Sequence, residues 1–244
     1  MIRLRRPENR LTPWLVLVAL LLVIILGGIY FFSQGYSINL ARTRNVLAWL
    51  RNPGAYSAWQ VEAGQRCGTA PFLVPTSGFV GFLWDDSFRI GHRHQGVDIF
   101  GGDGVDVTPV IAAHSGYLTR QLDWKSSLII RIPQDPLQPG RQIWTYYTHL
   151  ADEQGNSFVS DEFPPGTFER YVEAGTLLGY QGNYSGDPGN PVGVHLHFSI
   201  VLDDGQGNFL NELKIENTLD PSPYLGMQLN AGQNRGEIPL CGSD

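Results

Sequence analysis

Gly193-Val194-His195-Leu196-His197-Phe198-Ser199-Ile200-Val201-Leu202, residues 193–202, is the stretch on which the fold turns. From His195 onward it is rich in β-branched, aromatic and aliphatic residues, and it reads as a strand. In a strand alternate side chains share a face. His195 and His197 therefore project one way, while Leu196 and Phe198 enter the opposite layer. Working outward, four more runs have the same character: Val107–Ala112, Ser127–Ile132, Ile143–His149 and Thr176–Gln181. Gly, Pro, Asp and Asn lie between most of them, as turn residues should. No long amphipathic helix interrupts the series after about residue 71. The expected fold is all-β and mainly antiparallel, a sandwich or open barrel.

Composition agrees. The 244 residues include 29 glycines and 16 prolines, and only 16% are charged, which favours short strands and turns over long surface helices. Lys125 and Lys214 are the only lysines. Arg3, Arg5, Arg6 and Arg10 against Glu8 leave the first twelve residues with three positive charges. Against a net charge of −6 the remainder carries nine negative ones. An acidic body without a basic patch argues against a nucleic-acid partner.

Pro13 to Phe32 are twenty uncharged residues, mostly Leu, Val and Ile. As a helix they span roughly 30 Å, a bilayer core. Trp14 at one end and Tyr30, Phe31 and Phe32 at the other stand where interfacial aromatics belong, and the preceding arginines put residues 1–12 inside the cell. A cleaved signal peptide has a shorter apolar stretch and a small-residue cleavage site. An uncleaved, single-pass membrane anchor, with the body outside, is the expectation. The domain division is a basic tail at 1–12, an anchor at 13–32, a stalk with a short helix at 33–70, a main domain at 71–225 and a tail at 226–244. In the stalk Leu40, Val46, Leu47 and Leu50 fall near helical spacing, and Pro53-Gly54 ends the segment. Cys67 and Cys241 bracket the body. Outside the membrane they can form a disulfide, the alternative being two separate buried thiols.

Four of the six histidines fall in three motifs. They are His94-Gln95-Gly96-Val97-Asp98, Tyr147-Thr148-His149-Leu150, and the His195-Leu196-His197 pair above. Two imidazoles on one face are costly to desolvate unless a metal or a substrate uses them. His94 and Asp98 flank Gly96, and Val97–Phe100 reads as a strand entering the core. One imidazole, one carboxylate and a second imidazole make three N/O ligands, the usual protein share of a catalytic zinc site. A closed structural site would need a fourth ligand, and neither cysteine lies near. His92 and His114 read as groove-edge or solvent-facing residues.

These motifs resemble the lysostaphin-type (LytM-type) zinc metallopeptidases. The carriers are His94-x-x-x-Asp98, His149 in Tyr-x-His-Leu, His195-Leu-His197-Phe, the intervening Thr108-Pro109-Val110-Ile111-Ala112-Ala113 with Gly116, and Val172-x-x-Gly175-x-x-Leu178-Gly179-x-x-Gly182. The resemblance covers about residues 90–200. It implies that His94, Asp98 and His197 bind one Zn2+ per chain and that His149 and His195 are catalytic. The implied fold is an antiparallel sheet crossed by a groove, of duplicated hybrid-motif or barrel-sandwich type. The implied partner is peptidoglycan, whose peptide stems or cross-bridges such enzymes cut, often beside glycine or D-alanine. Three features depart from the family: His114, the long link from Gly182 to His195, and the long loop 151–170, expected near the cleft.

No His-Glu-x-x-His motif supplies a glutamate base. Proton transfer is therefore expected of His195, beside the ligand His197. His149 is expected to bond the developing oxyanion or orient the water. The alternative function is a catalytically silent or autoinhibited wall-binding module. Retention of all five site residues favours an enzyme.

Overall fold

The computed structural model describes residues 12–33, 40–87, 91–234 and 236–242. Apart from Thr12, the basic tail lies outside the described residues, as does the segment 34–39. Helix α1 (Thr12–Ser33) is long and apolar enough to cross a membrane, with a mean hydropathy of 2.6 over Pro13–Tyr30 and none of that window buried. Helix α2 (Leu40–Arg51) follows, and a short 3-10 turn begins at Pro53.

The body is built from strands β1 (Gln60–Val61), β2 (Gly78–Val80), β3 (Val97–Phe100), β4 (Pro109–Ile111), β5 (Gly116–Thr119) and β6 (Leu128–Ile132). They are followed by β7 (Ile143–Thr148), β8 (Arg170–Val172), β9 (Leu177–Tyr180), β10 (Leu196–Leu202) and β11 (Thr218–Leu219), then a short helix α3 (Ser222–Leu225). The main sheet runs β1-β2-β3-β10-β7-β6-β5-β8, with β11 pairing to β10, and β4 and β9 form a second, two-stranded sheet. Every strand pairing is antiparallel. The all-β expectation holds, and each of the five strand runs read from the sequence contains one of these strands.

Alternation sorts the main sheet into two faces. Leu196, Phe198 and Ile200 of β10, Ile143 and Tyr147 of β7, Leu128, Ile130 and Ile132 of β6, and Val97 and Ile99 of β3 enter one large core. The opposite face carries Asp98, Thr148, His197 and Ser199. Register puts His197 across from Asp98 on one side and Thr148 on the other. Gly96 is required here: a Cβ would lie 2.2 Å from the carbonyl oxygen of Phe198. Only glycine lets this strand approach so closely.

The segment expected as a stalk is packed on the body from Leu40 onward. Val46 and Trp49 of α2 join Phe79 and Phe100 in a second buried cluster, and β1 extends the main sheet. Arg42 is buried and forms an ion pair of 2.8 Å with buried Asp86. Cys67 and Cys241 are joined in a disulfide, with Cα atoms 4.9 Å apart. The alternative of two separate thiols is thereby set aside.

Candidate metal centre

Three strand ends meet where β3, β7 and β10 lie side by side. His94 precedes β3. Its backbone N–H donates to the Asp86 carbonyl and its own carbonyl accepts from the Asp85 N–H, each at 2.8 Å. Asp98 sits inside β3, and His195 and His197 begin β10 on one face, as alternation requires. His94 Nε2, Asp98 Oδ1 and His197 Nδ1 form a triangle with edges of 3.0, 2.9 and 3.0 Å. All three residues are buried, and among the described residues they are the only His/Cys/Asp/Glu group spaced to hold an ion.

The outer nitrogens fix which atoms face inward. His94 Nδ1 lies 2.9 Å from the Leu83 carbonyl. A carbonyl only accepts, so Nδ1 carries the hydrogen and Nε2 keeps its lone pair for the centre. His197 Nε2 lies 2.8 Å from Glu212 Oε1, which leaves Nδ1 facing inward. Burial opposes charge on Asp98, but the neighbouring imidazoles of His94 and His195 and the hydrogen bonds of His197 and His94 hold it well below the usual carboxylate range. Burial likewise opposes charge on His197, yet bonds to Asp98 and Glu212 push it up to about 10. The triangle thus favours an added positive charge. Two imidazoles and a carboxylate around such a point fit zinc, and they leave a fourth direction open.

His149 and His195 stand beside the triangle, their rings 4.5 Å apart. His195 stacks on Phe100 at 4.9 Å, and its Nε2 lies 3.6 Å from Asp98 Oδ1. Its Nδ1 donates to the Gly193 carbonyl at 2.5 Å, and His149 Nδ1 donates to the Tyr184 carbonyl at 2.6 Å. Both neutral rings therefore carry a bare lone pair on Nε2. Burial, with the imidazoles of His195 and His197 nearby, lowers His149 to about 3, and burial lowers His195 despite Asp98.

The five residues border a cavity of about 860 Å3. One side is apolar, with Val46 and Leu50 of α2 beside Phe82, Phe100 and Val192. The other carries Asp123, Trp124, Lys125, Ser127, Tyr146 and Thr148. The long link from Gly182 to His195 supplies part of the rim through Tyr184, Ser185 and Gly186, while none of the described residues 152–170 lines the cavity. The first part of the long loop, expected near the cleft, lies behind the rim: Ala151 accepts from the Tyr184 N–H and Gly155 abuts Lys125 and Tyr184, while farther along Phe163 enters the core and Arg120 donates to its carbonyl. His92 borders the cavity, and His114 packs on Phe72 with its Nδ1 on the Ser115 carbonyl. The sequence reading missed Glu212, which lies in a turn-rich segment with no periodicity to mark it. It also missed the place of Val46 and Leu50 in the cavity wall.

No family model matches the sequence, and no curated protein does. Solved structures do. The chain is similar to the antimicrobial peptidase lysostaphin from Staphylococcus simulans at 20% identity and a TM-score of 0.39, over 66% of this chain and 54% of that one. This chain thus spans about half the length of lysostaphin. It is similar to a candidate M23 peptidase from Pseudomonas aeruginosa at 18% identity and a TM-score of 0.39, covering 77% of this chain and 62% of that one. The catalytic domain of a prophage-encoded M23 protein from Enterococcus faecalis matches at 17% identity and a TM-score of 0.34, with coverage of 62% and 96%. Lysostaphin- and M23-type peptidase domains are thus among the structures this chain is similar to.

Proposed function

We propose that this chain is a zinc-dependent endopeptidase of the lysostaphin type. It is held by α1 in the bacterial cytoplasmic membrane with its body outside, and it cuts peptide stems or cross-links of peptidoglycan. The observation that carries the reading is the buried triangle of His94 Nε2, Asp98 Oδ1 and His197 Nδ1, with two histidine lone pairs beside it.

His94, Asp98 and His197 would hold the ion, which supplies Lewis acidity and lowers the pKa of a water to roughly 7. His195 Nε2 accepts a proton from the attacking water and delivers it to the leaving amine. His149 presents the same kind of lone pair. A neutral ring whose Nδ1–H is committed to Tyr184 has no hydrogen left to donate to an oxyanion. Of the two roles expected for His149, the geometry therefore supports orienting the water by accepting its second hydrogen. The cavity is large enough to hold several residues of an extended peptide.

The test is mass spectrometry of peptidoglycan fragments incubated with the zinc-loaded protein, with and without a chelator. New peptide termini that vanish on chelation are expected and would identify the bond. Intact fragments, with one zinc bound per chain, would overturn the active-peptidase reading in favour of a catalytically silent or autoinhibited wall-binding module.

A further inference from the structure

We propose that Glu212 is a positioning residue of the metal centre, holding His197 so that its Nδ1 faces His94 and Asp98. The proposal rests on the reading of that triangle as a metal site.

Glu212 lies in the turn-rich connection between β10 and β11, and its side chain returns to the face of β10 that carries His197. Its Oε1 is 2.8 Å from His197 Nε2 and 3.3 Å from the hydroxyl of Ser199. Ser199 is two residues beyond His197 and so shares its face. The strand thus supplies both partners of the carboxylate, one of them a candidate ligand. The Glu212 side chain is 14% exposed. A carboxylate so nearly buried is costly unless hydrogen-bonded, so its two partners fix its place.

The geometry separates this role from direct ligation. Oε1 sits against the ring nitrogen that points away from the triangle, and Glu212 is not among the residues whose donor atoms converge there. A carboxylate accepts only, so the bond places the hydrogen on Nε2 and keeps the Nδ1 lone pair for the ion. The charged acceptor also makes the imidazole a stronger donor. His94 has the equivalent outer contact from the Leu83 carbonyl. That contact is backbone and cannot be deleted by substitution, whereas Glu212 can. The loss of such an outer carboxylate lowers metal affinity by about 10–100-fold.

The experiment is competition between a chromophoric chelator and the full-length, metal-stripped protein in detergent for zinc. Wild type, Glu212→Gln, Glu212→Ala and Asp98→Ala are compared. Wild type should bind one zinc, Asp98→Ala none, Glu212→Ala should bind roughly 10–100-fold more weakly, and Glu212→Gln should fall between. The cobalt-substituted Glu212→Gln protein should show a shifted visible absorption band. Its metal-free form should melt within a few degrees of wild type, because the isosteric amide keeps the packing. Zinc affinity within about threefold of wild type in both Glu212 variants, or an unshifted cobalt band, would overturn the positioning role while the site reading stood. Zinc binding unaffected by Asp98→Ala, or absent from wild type, would overturn the site reading and this proposal with it.

Discussion

His149 stands at φ 73°, a conformation that costs energy for any residue with a side chain. It takes the chain sharply out of β7, and in the same place Nδ1 meets the Tyr184 carbonyl. Ring orientation at both His149 and His195 is thus set by backbone carbonyls. His149→Ala and His195→Ala are therefore expected to keep one zinc per chain while kcat falls at least about a hundredfold, measured by metal analysis and turnover. Asp98→Ala is expected to lose the metal. Acidity tests the same residues. His149 is lowered to about 3 and His195 is lowered too, so in the metal-free protein their contribution to stability is complete above pH 6.5 and falls as pH drops below it. His197 is raised to about 10, so its contribution is complete below pH 6.5 and is lost as pH rises toward 10. Metal-free protein is expected to be most stable near pH 6.5, each group contributing at most about 1.4 kcal/mol per pH unit. Thermal melts from pH 5 to 9 would show the maximum, and zinc should remove the alkaline decline by taking the proton's place. A monotonic profile without metal would contradict the assignment.

At the scale of elements, α2 has two attachments. Val46 and Trp49 pack with Phe79 and Phe100, and Arg42 pairs with Asp86 in a place where both are almost wholly buried. The backbone of Asp86 in turn receives the N–H of His94. Arg42→Ala would remove one buried charge of an ion pair and is expected to cost about 3–5 kcal/mol of stability. Arg42→Met combined with Asp86→Leu should cost much less, because it removes the burial penalty with the pair; denaturant unfolding of the two variants compares them. The strands were legible because each buries one face: period-two alternation in 195–202 identified β10 and put His195 and His197 together before any neighbour was known. The triangle was legible because its three residues come from two short motifs. What packs on α2 was not legible. Helical spacing of Val46, Leu47 and Leu50 marks a buried side but names no surface to bury it on, and nothing local in the sequence pairs Arg42 with Asp86. Glu212 reached His197 through irregular chain, where no pattern predicts direction.

At the scale of the whole molecule, the Cys67–Cys241 disulfide closes a loop with a sequence separation of 174. Replacing both cysteines by serine is expected to lower stability by about 2–5 kcal/mol, read as a fall in melting temperature that reductant reproduces in wild type. No change in either case would mean that the unfolded chain is scarcely constrained by the bond. The bond joins the segment between β1 and β2 to the last described residues. Nearly all of the sheet, the five site residues and Glu212 lie within one covalent ring. Glu162, Pro164, Pro165 and Gly166 are exposed at the tip of the long loop, the kind of place a protease cuts first. A cut there opens the ring without dividing it. The nicked protein should migrate as one species on a gel without reductant and as two with it, its halves still joined by a bond far along the chain from the cut.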